Sequence, residues 1–393
     1  MSIISYVLLG FAVIAAIDRV FGSRLGLGND FEKGISMAGP LILAMGGMLV
    51  ITPVLAELLS GLGNMSTRFF DFSLLPAVLI ANDMGSSQIA LELSASAEVG
   101  LLNGFVVSAM MGCTVSFPLP YVIQVIKKEQ HNDVMFGLLC GIITIPVGVI
   151  IAGIIIGVDF VSLVFVLLPL LAFAGILAVG ILKFEKITVK IFVILGLIMK
   201  GILTLGLIFG FAEFVIGMYH EGFRFGDWLG QYHEGFKVLS AAAPISTVMM
   251  TVASIIVVMV GAFPLFSLLE RVLKKPLSMM GRRLGINDTS AFGLFVTLGT
   301  PLTTFEMAEN MDRRGLILNS AFVVSASFMF MDHLAWTLAQ APILAGELSG
   351  RTVAATIAGK FISGIAAVAF AYFLCRGKKL SETDAAEKEI AKV

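Results

Sequence analysis

Charge is what this sequence has least of. Asp, Glu, Lys and Arg make up 13% of its 393 residues, against roughly 25% in an ordinary globular chain. Hydrophobic residues make up 58%, and the mean hydropathy is +0.98. Such scarcity excludes a water-soluble fold and points to an all-α polytopic membrane protein. Cysteine is almost as scarce. Cys113, Cys140 and Cys375 lie in or at the ends of apolar segments without ligand spacing, which excludes a disulfide framework and a cysteine metal site. No Ser-His-Asp order, metal-ligand motif, P-loop, dinucleotide fingerprint or nucleic-acid motif occurs. Neither an enzyme nor a cofactor is expected, and nucleic acid is not an expected partner.

What is present is a series of long apolar runs. Full spans are expected at 3–20, 35–60, 100–126, 133–157, 159–182, 189–218, 245–270, 315–341 and 350–375. The first of these lacks a basic leader and a small-residue cleavage site, so it reads as a span and not a removed signal. Two more stretches, 72–98 and 287–310, are broken in the middle, at Asn82–Ser87 and Gly299–Thr304. Each leg has about 11 residues, about 16 Å of helix, or half of a ~30 Å hydrocarbon core. Each stretch is therefore either a crossing broken helix, giving eleven crossings, or a re-entrant hairpin with its tip at mid-membrane.

Positive charge separates the two. With both stretches as hairpins and the Arg19/Arg24/Lys33 loop in the cytoplasm, 20 of the 26 Lys+Arg fall on the cytoplasmic side. Four fall outside (Arg68, Arg224, Lys237, Arg351) and two within spans (Lys200, Lys360). With both as crossings the division becomes 12 to 12. The positive-inside rule favours hairpins, about nine full spans and a cytoplasmic C-terminus. A repeat agrees with this: FVVSA occurs at Phe105–Ala109 and at Phe322–Ala326, 217 residues apart, and the same offset superposes the two breaks. The expected plan is a first repeat (1–157), a connecting helix (158–188), a second, inverted repeat (189–375) and a charged tail (376–393). Transporters with inverted repeats bind substrate where broken helices meet at mid-membrane.

The candidate site residues follow. Asp83 stands beside Asn82 and Ser86 in LIANDMGSSQIALELS (79–94); a carboxylate there either holds a cation or caps the second leg of its hairpin. Thr300 and Thr303, with Thr304, are the counterparts at the second break, as ligands or as partners for freed backbone. Asp332 and His333 lie about 17 residues into their expected span, as a proton or substrate site or as an interhelical clamp. A charge network of Glu92, Lys200, Glu306, Glu309 and Lys360 is expected, with each mid-span lysine meeting a carboxylate.

At this point the chain resembles the EutH-type ethanolamine permeases over nearly its whole length. The resemblance rests on AMGGMLVITPVLAELL (44–59), the Asp83 stretch, SAMMGCTVSFPLP (108–120), GIITIPVGVIIAG (141–153), GAFPLFSLLERVLKKPLSMMGRRLGIND (261–288), MDRRGLILNSAFVVSASF (311–328) and MDHLAW (331–336). It implies a multi-pass carrier of the cytoplasmic membrane taking up ethanolamine, whose protonated amine suits Asp83 and whose hydroxyl suits Asn82, Ser86 and Thr300. Departures from the family pattern gather at GTPLTTF (299–305), at Glu306 and Glu309, and at Ala335-Trp336, leaving a related small amine as the alternative substrate. Expected partners are a small cationic substrate and the bilayer, and the sequence is compatible with a homo-oligomer. A non-transporting membrane sensor or scaffold working through the charged tail is the reading from another class.

Overall fold

The computed structural model describes residues 3–340, 344 and 347–377, so the expected tail lies outside the described residues from 378 onward. Every regular element among the described residues is helical. The chain runs through α1 (Ile3–Val20), α2 (Leu27–Ser36), α3 (Ala38–Leu41) and α4 (Gly47–Gly63). A broken pair follows, α5 (Leu74–Leu79) and α6 (Ser86–Leu93), and then α7 (Ala97–Leu101), which continues as a wide π-helical segment (Leu102–Gly112) into α8 (Cys113–Ser116). After a break at Phe117 come α9 (Pro118–Val125), α10 (His131–Ile156), α11 (Phe160–Lys183), α12 (Glu185–Gly217) and the short α13 (Phe225–Gly230). The chain closes with α14 (Ile245–Leu284), the pair α15 (Asp288–Thr297) and α16 (Pro301–Glu306), α17 (Arg313–Ala326), α18 (Asp332–Gln340) and α19 (Glu347–Gly377).

Seven helical runs are long and apolar enough to cross a membrane, from Leu27–Gly63 to Leu348–Cys375. The protein is a multi-pass membrane protein. Of the nine full spans expected, the first is the 18-residue α1, outside those seven. The expected continuous helix 315–341 is corrected to two, α17 and α18, separated by Ser327–Met331. Phe328 adopts φ 59° at that break, a left-handed conformation uncommon outside glycine. Hydrogen bonds from Phe330 N to Leu298 O (2.9 Å) and from His333 N to Phe328 O (3.2 Å) hold it there.

The centre of the bundle is the π-helical segment and α17. All eleven residues of the former are buried, as is every residue of α17 from Gly315 to Ala326. Glycines let α10 lie directly against this centre: a Cβ on Gly137 would stand 2.4 Å from Ile317 O, and one on Gly141 2.5 Å from Ala321 O. Small residues at such crossings let backbones approach, which is how helices gain packing energy in lipid. By contrast α11 and α12 turn Leu168, Ile176, Leu182, Leu197 and Leu205 outward, as helices facing hydrocarbon do.

Each broken pair is strapped at its base by a carboxylate. Asp71 Oδ2, before α5, accepts from Ser94 Oγ and Ala95 N, after α6, both at 2.9 Å. Asp312 Oδ1, after α16, accepts from Asn287 N and Ser290 Oγ, around the start of α15, both at 2.8 Å. Asn103 Nδ2 donates to Ser73 Oγ in the first unit and Asn319 Nδ2 to Ser290 O in the second, each at 2.8 Å. Two outer pairs of helices are also in close contact. A Cβ on Gly261 of α14 would meet Leu8 O of α1 at 2.1 Å, and one on Gly47 of α4 would meet Leu203 O of α12 at 1.6 Å.

Candidate functional site

The tip of the first hairpin is built by a chain that cannot stay helical. After α5 the backbone extends through Ile80 and Ala81, makes one tight turn over Asn82–Met84, and reverses at Gly85 with φ +92°. Only glycine fits there: its φ is left-handed, and a Cβ would fall 2.3 Å from Thr52 Oγ1 on α4. α6 then begins at Ser86 behind Gly85, which has no side chain to cap it; among the described residues the Asp83 carboxylate takes no hydrogen bond from the first turn of α6, and its own backbone N–H is its partner. Asn82 and Ser86 are fully enclosed, yet Asn82 Oδ1, Asn82 Nδ2 and Ser86 Oγ find no hydrogen-bond partner among the described residues. Ser87 is the tied residue. Its hydroxyl donates to Asn82 O at 2.9 Å and accepts from Trp336 Nε1 of α18 at 3.1 Å.

The break between α17 and α18 faces this tip. Asp332 and His333 are the first two residues of α18, not mid-helix as expected, so their backbone N–H groups belong to a helix start. His333 is enclosed and its Nδ1 lacks a partner among the described residues. Ser327 is equally enclosed, with the Cys113 thiol beside its hydroxyl and no stronger partner among the described residues. The ring of Phe328 lies 5.6 Å from that of Phe117 and 5.4 Å from that of His333, so the two broken helices meet through aromatic residues at their breaks.

Lys360 completes the group. It is fully enclosed on α19, and its Nζ donates to Ala109 O in the π-helical segment at 2.5 Å. Asp83 is in electrostatic reach of Lys360, Asp332 of Asp83, and His333 of Lys360. Among the described residues, no ion pair within 4.0 Å joins either aspartate to Lys360. Asp83 and Asp332 keep partial access while Asn82, Ser86, Ser327, His333 and Lys360 are closed off. The two carboxylates thus keep some accessible surface deep in the bundle, and a carboxylate held there without a cation is an invitation to one.

The other candidates stand apart from this group. Thr300 Oγ1 accepts from Leu302 N at 3.3 Å as the cap of α16, and Thr304 Oγ1 pairs with Thr297 Oγ1 at 2.9 Å. Both hydroxyls serve their own turn, and Thr303 is half-buried beside them. Glu92 and Glu306 are exposed. Glu309 meets Lys127 at 3.1 Å with both side chains more than half exposed, a surface pair of small energetic consequence. Lys200 is exposed on α12, whose Met199 and Leu203 are the residues turned inward. The carboxylate expected for it is not found among the described residues.

Sequence reasoning missed Ser327, the Trp336–Ser87 tie and the Ala109 acceptor. A signal existed for two of them: the first FVVSA ends on Ala109, which receives Lys360, and the second ends on Ala326, where α17 stops.

A profile of the family described as "Ethanolamine utilisation protein, EutH" matches residues 1–374. A protein of Listeria monocytogenes serotype 1/2a named "Probable ethanolamine permease EutH" is 33% identical over 374 residues, covering 95% of this chain and 93% of that one. The protein of the same name in Salmonella typhimurium is 29% identical, covering 95% of both chains. The "Uncharacterized protein YxeR" of Bacillus subtilis is 27% identical over 94% of this chain and 93% of its own. No solved structure matches.

Proposed function

The chain belongs to the EutH family of ethanolamine utilisation proteins, and from that premise we propose that it carries ethanolamine, as the protonated amino alcohol, across the cytoplasmic membrane. The observation that carries the reading is Asp83, a deep carboxylate with no side-chain cap to make and no cation within ion-pairing distance among the described residues. Asp83 is the principal ligand of the ammonium and Asp332 its neighbour. Asn82, Ser86, Ser327 and His333, with their unmatched polar atoms, take the hydroxyl. A small polar cation fits this division, since every enclosed polar group must meet a partner or remain destabilising.

Movement follows from two inverted repeats, 1–157 and 189–375, shifting against each other around the hairpin tips. The paired straps at Asp71 and Asp312, and the matched contacts of α1 with α14 and α12 with α4, support this division. The C-terminus is then cytoplasmic. Uptake of radiolabelled ethanolamine into proteoliposomes, competed with choline and propanolamine, tests the substrate. Saturable uptake blocked best by unlabelled ethanolamine is expected. Absence of uptake by protein that binds another amine would replace the substrate and keep the carrier.

A further inference from the structure

We propose that Lys360 is a selectivity residue: a resident primary ammonium that admits substrates with one positive charge and turns away those with two. The inference rests on the reading of the Asp83 region as a site for an organic cation. Its own observation is charge arithmetic at the centre of the bundle. Asp83 and Asp332 supply two carboxylates and Lys360 one ammonium, all within a connected electrostatic neighbourhood. With both carboxylates taken as ionised, Lys360 as protonated, and His333 and the Cys113 thiol as neutral, the formal sum is −1. One substrate ammonium brings it to zero; a diammonium would leave it at +1 inside protein, where uncompensated charge is strongly unfavourable.

Geometry fixes Lys360 in this role. Its side chain is fully enclosed, and its Nζ is held on Ala109 O at 2.5 Å without an ion pair to either carboxylate among the described residues. A lysine placed only to neutralise Asp83 would be expected in contact with it. Held back on a backbone carbonyl, it lowers the charge of the site without filling the position of the guest. A second ammonium on the guest would meet an ammonium that cannot retreat, because the Lys360 side chain has no accessible surface to move into.

The test uses two ligands of equal length that differ in one terminal group, 3-aminopropan-1-ol and 1,3-diaminopropane. Binding to the full-length protein in detergent is read by thermal shift over a concentration series. The wild type should be stabilised by the amino alcohol at concentrations at which the diamine has no effect. Lys360→Met, close in volume, takes the sum to −2 and should improve diamine affinity relative to the amino alcohol by at least about tenfold, while Lys360→Arg keeps the wild-type order. Adding Asp332→Asn to Lys360→Met returns the sum to −1 and should restore preference for the amino alcohol, a rescue that a merely structural lysine would not show.

An unchanged ratio in folded Lys360→Met overturns the proposal. Should that variant not fold, the double variant decides. Folded and selective for the amino alcohol, it supports the proposal; unfolded or unselective, it overturns it. Ethanolamine uptake by the wild type separates this from the underlying reading. Uptake with no change of ratio discards the role of Lys360 alone, and a change of ratio without ethanolamine uptake discards the substrate alone.

Discussion

Asp83→Asn keeps the size and shape of the side chain and removes its charge, so it isolates what the carboxylate does. At about 4 Å and an effective dielectric of about 20, an ammonium and a carboxylate attract by about 4 kcal/mol. Part of that is offset by stripping water from the ammonium, and removing one member of an enclosed charge pair costs about 2–5 kcal/mol in measured interfaces. The guest already faces Lys360, which opposes it, so the lower part of that range applies. A loss of about 2–4 kcal/mol, or roughly 30- to 800-fold in affinity, is expected for ethanolamine. The assay is equilibrium binding of labelled ethanolamine to purified protein, beside a melting curve of the same sample. The melting curve discriminates. A carboxylate that served as a helix cap would stabilise the fold, and its loss would lower the melting temperature. Since Asp83 takes no hydrogen bond from the first turn of α6 among the described residues, and relieving a largely desolvated carboxylate held without an ion pair is favourable, the variant should melt at or above the wild-type temperature. Affinity within threefold of wild type, or a clear drop in melting temperature, would refute the assignment.

Three further outcomes follow from the same geometry. Gly85→Ala forces a side chain into a left-handed backbone and against Thr52 Oγ1 at 2.3 Å, and that hydroxyl is held on Met48 O at 2.8 Å; a loss of about 2–4 kcal/mol is expected, and Thr52→Ala should recover the steric part only, as melting of the double variant would show. Trp336→Phe and Ser87→Ala each break the tie at 3.1 Å; a double-mutant cycle on stability should return a coupling of about 1 kcal/mol, and strict additivity would mean that the bond is absent. Asp159 caps α11, and hydrogen bonding to Ser162 and then to Arg68 holds its carboxyl well below the usual carboxylate range. Its contribution is therefore complete above that range, near pH 4, and fades only at more acid pH. The drop in melting temperature caused by Arg68→Ala should accordingly be the same at pH 7 and pH 5; a drop that shrinks by pH 5 would contradict the depressed titration.

The two hairpin breaks were legible because polar residues are rare in this chain and Gly85 and Pro301 interrupt helices by known backbone rules. The break at Ser327–Met331 was not. FVVSASFMFMDHLAW has neither glycine nor proline, and what holds it open is tertiary: a hydrogen bond from Phe330 N to Leu298 O, the second hairpin's turn. Burial of mid-span lysines divided in the same way. Hydropathy cannot tell Lys360 from Lys200, because both sit in apolar helices. The first is fully enclosed and the second exposed, a difference set by which neighbour each helix face meets. The expectation that a mid-span lysine requires a carboxylate overlooked backbone carbonyls. Ala109 O shows that one can serve.

The break that was hardest to read is also the one that joins everything else. Through Phe330 it holds the turn of the second hairpin, and through Trp336 it holds the tip of the first. Asp332 and His333 lie between those two attachments, facing Asp83. Replacing Asn82, Ser86, Ser327 and His333 by apolar residues of similar shape would relieve about 1–3 kcal/mol for each enclosed polar group that lacks a partner. A fold selected only for stability has no reason to keep them together at two helix breaks. A carrier does: a guest that satisfies them must also be released, and groups already matched by the protein could do neither. In the carrier proposed above, the same segment has to be held firmly enough to present its polar atoms and loosely enough to shift with the broken pairs. Its ties to the two broken pairs are single hydrogen bonds, Phe330 N to Leu298 O and Trp336 Nε1 to Ser87 Oγ, which hold the segment in place without making it continuous with either pair.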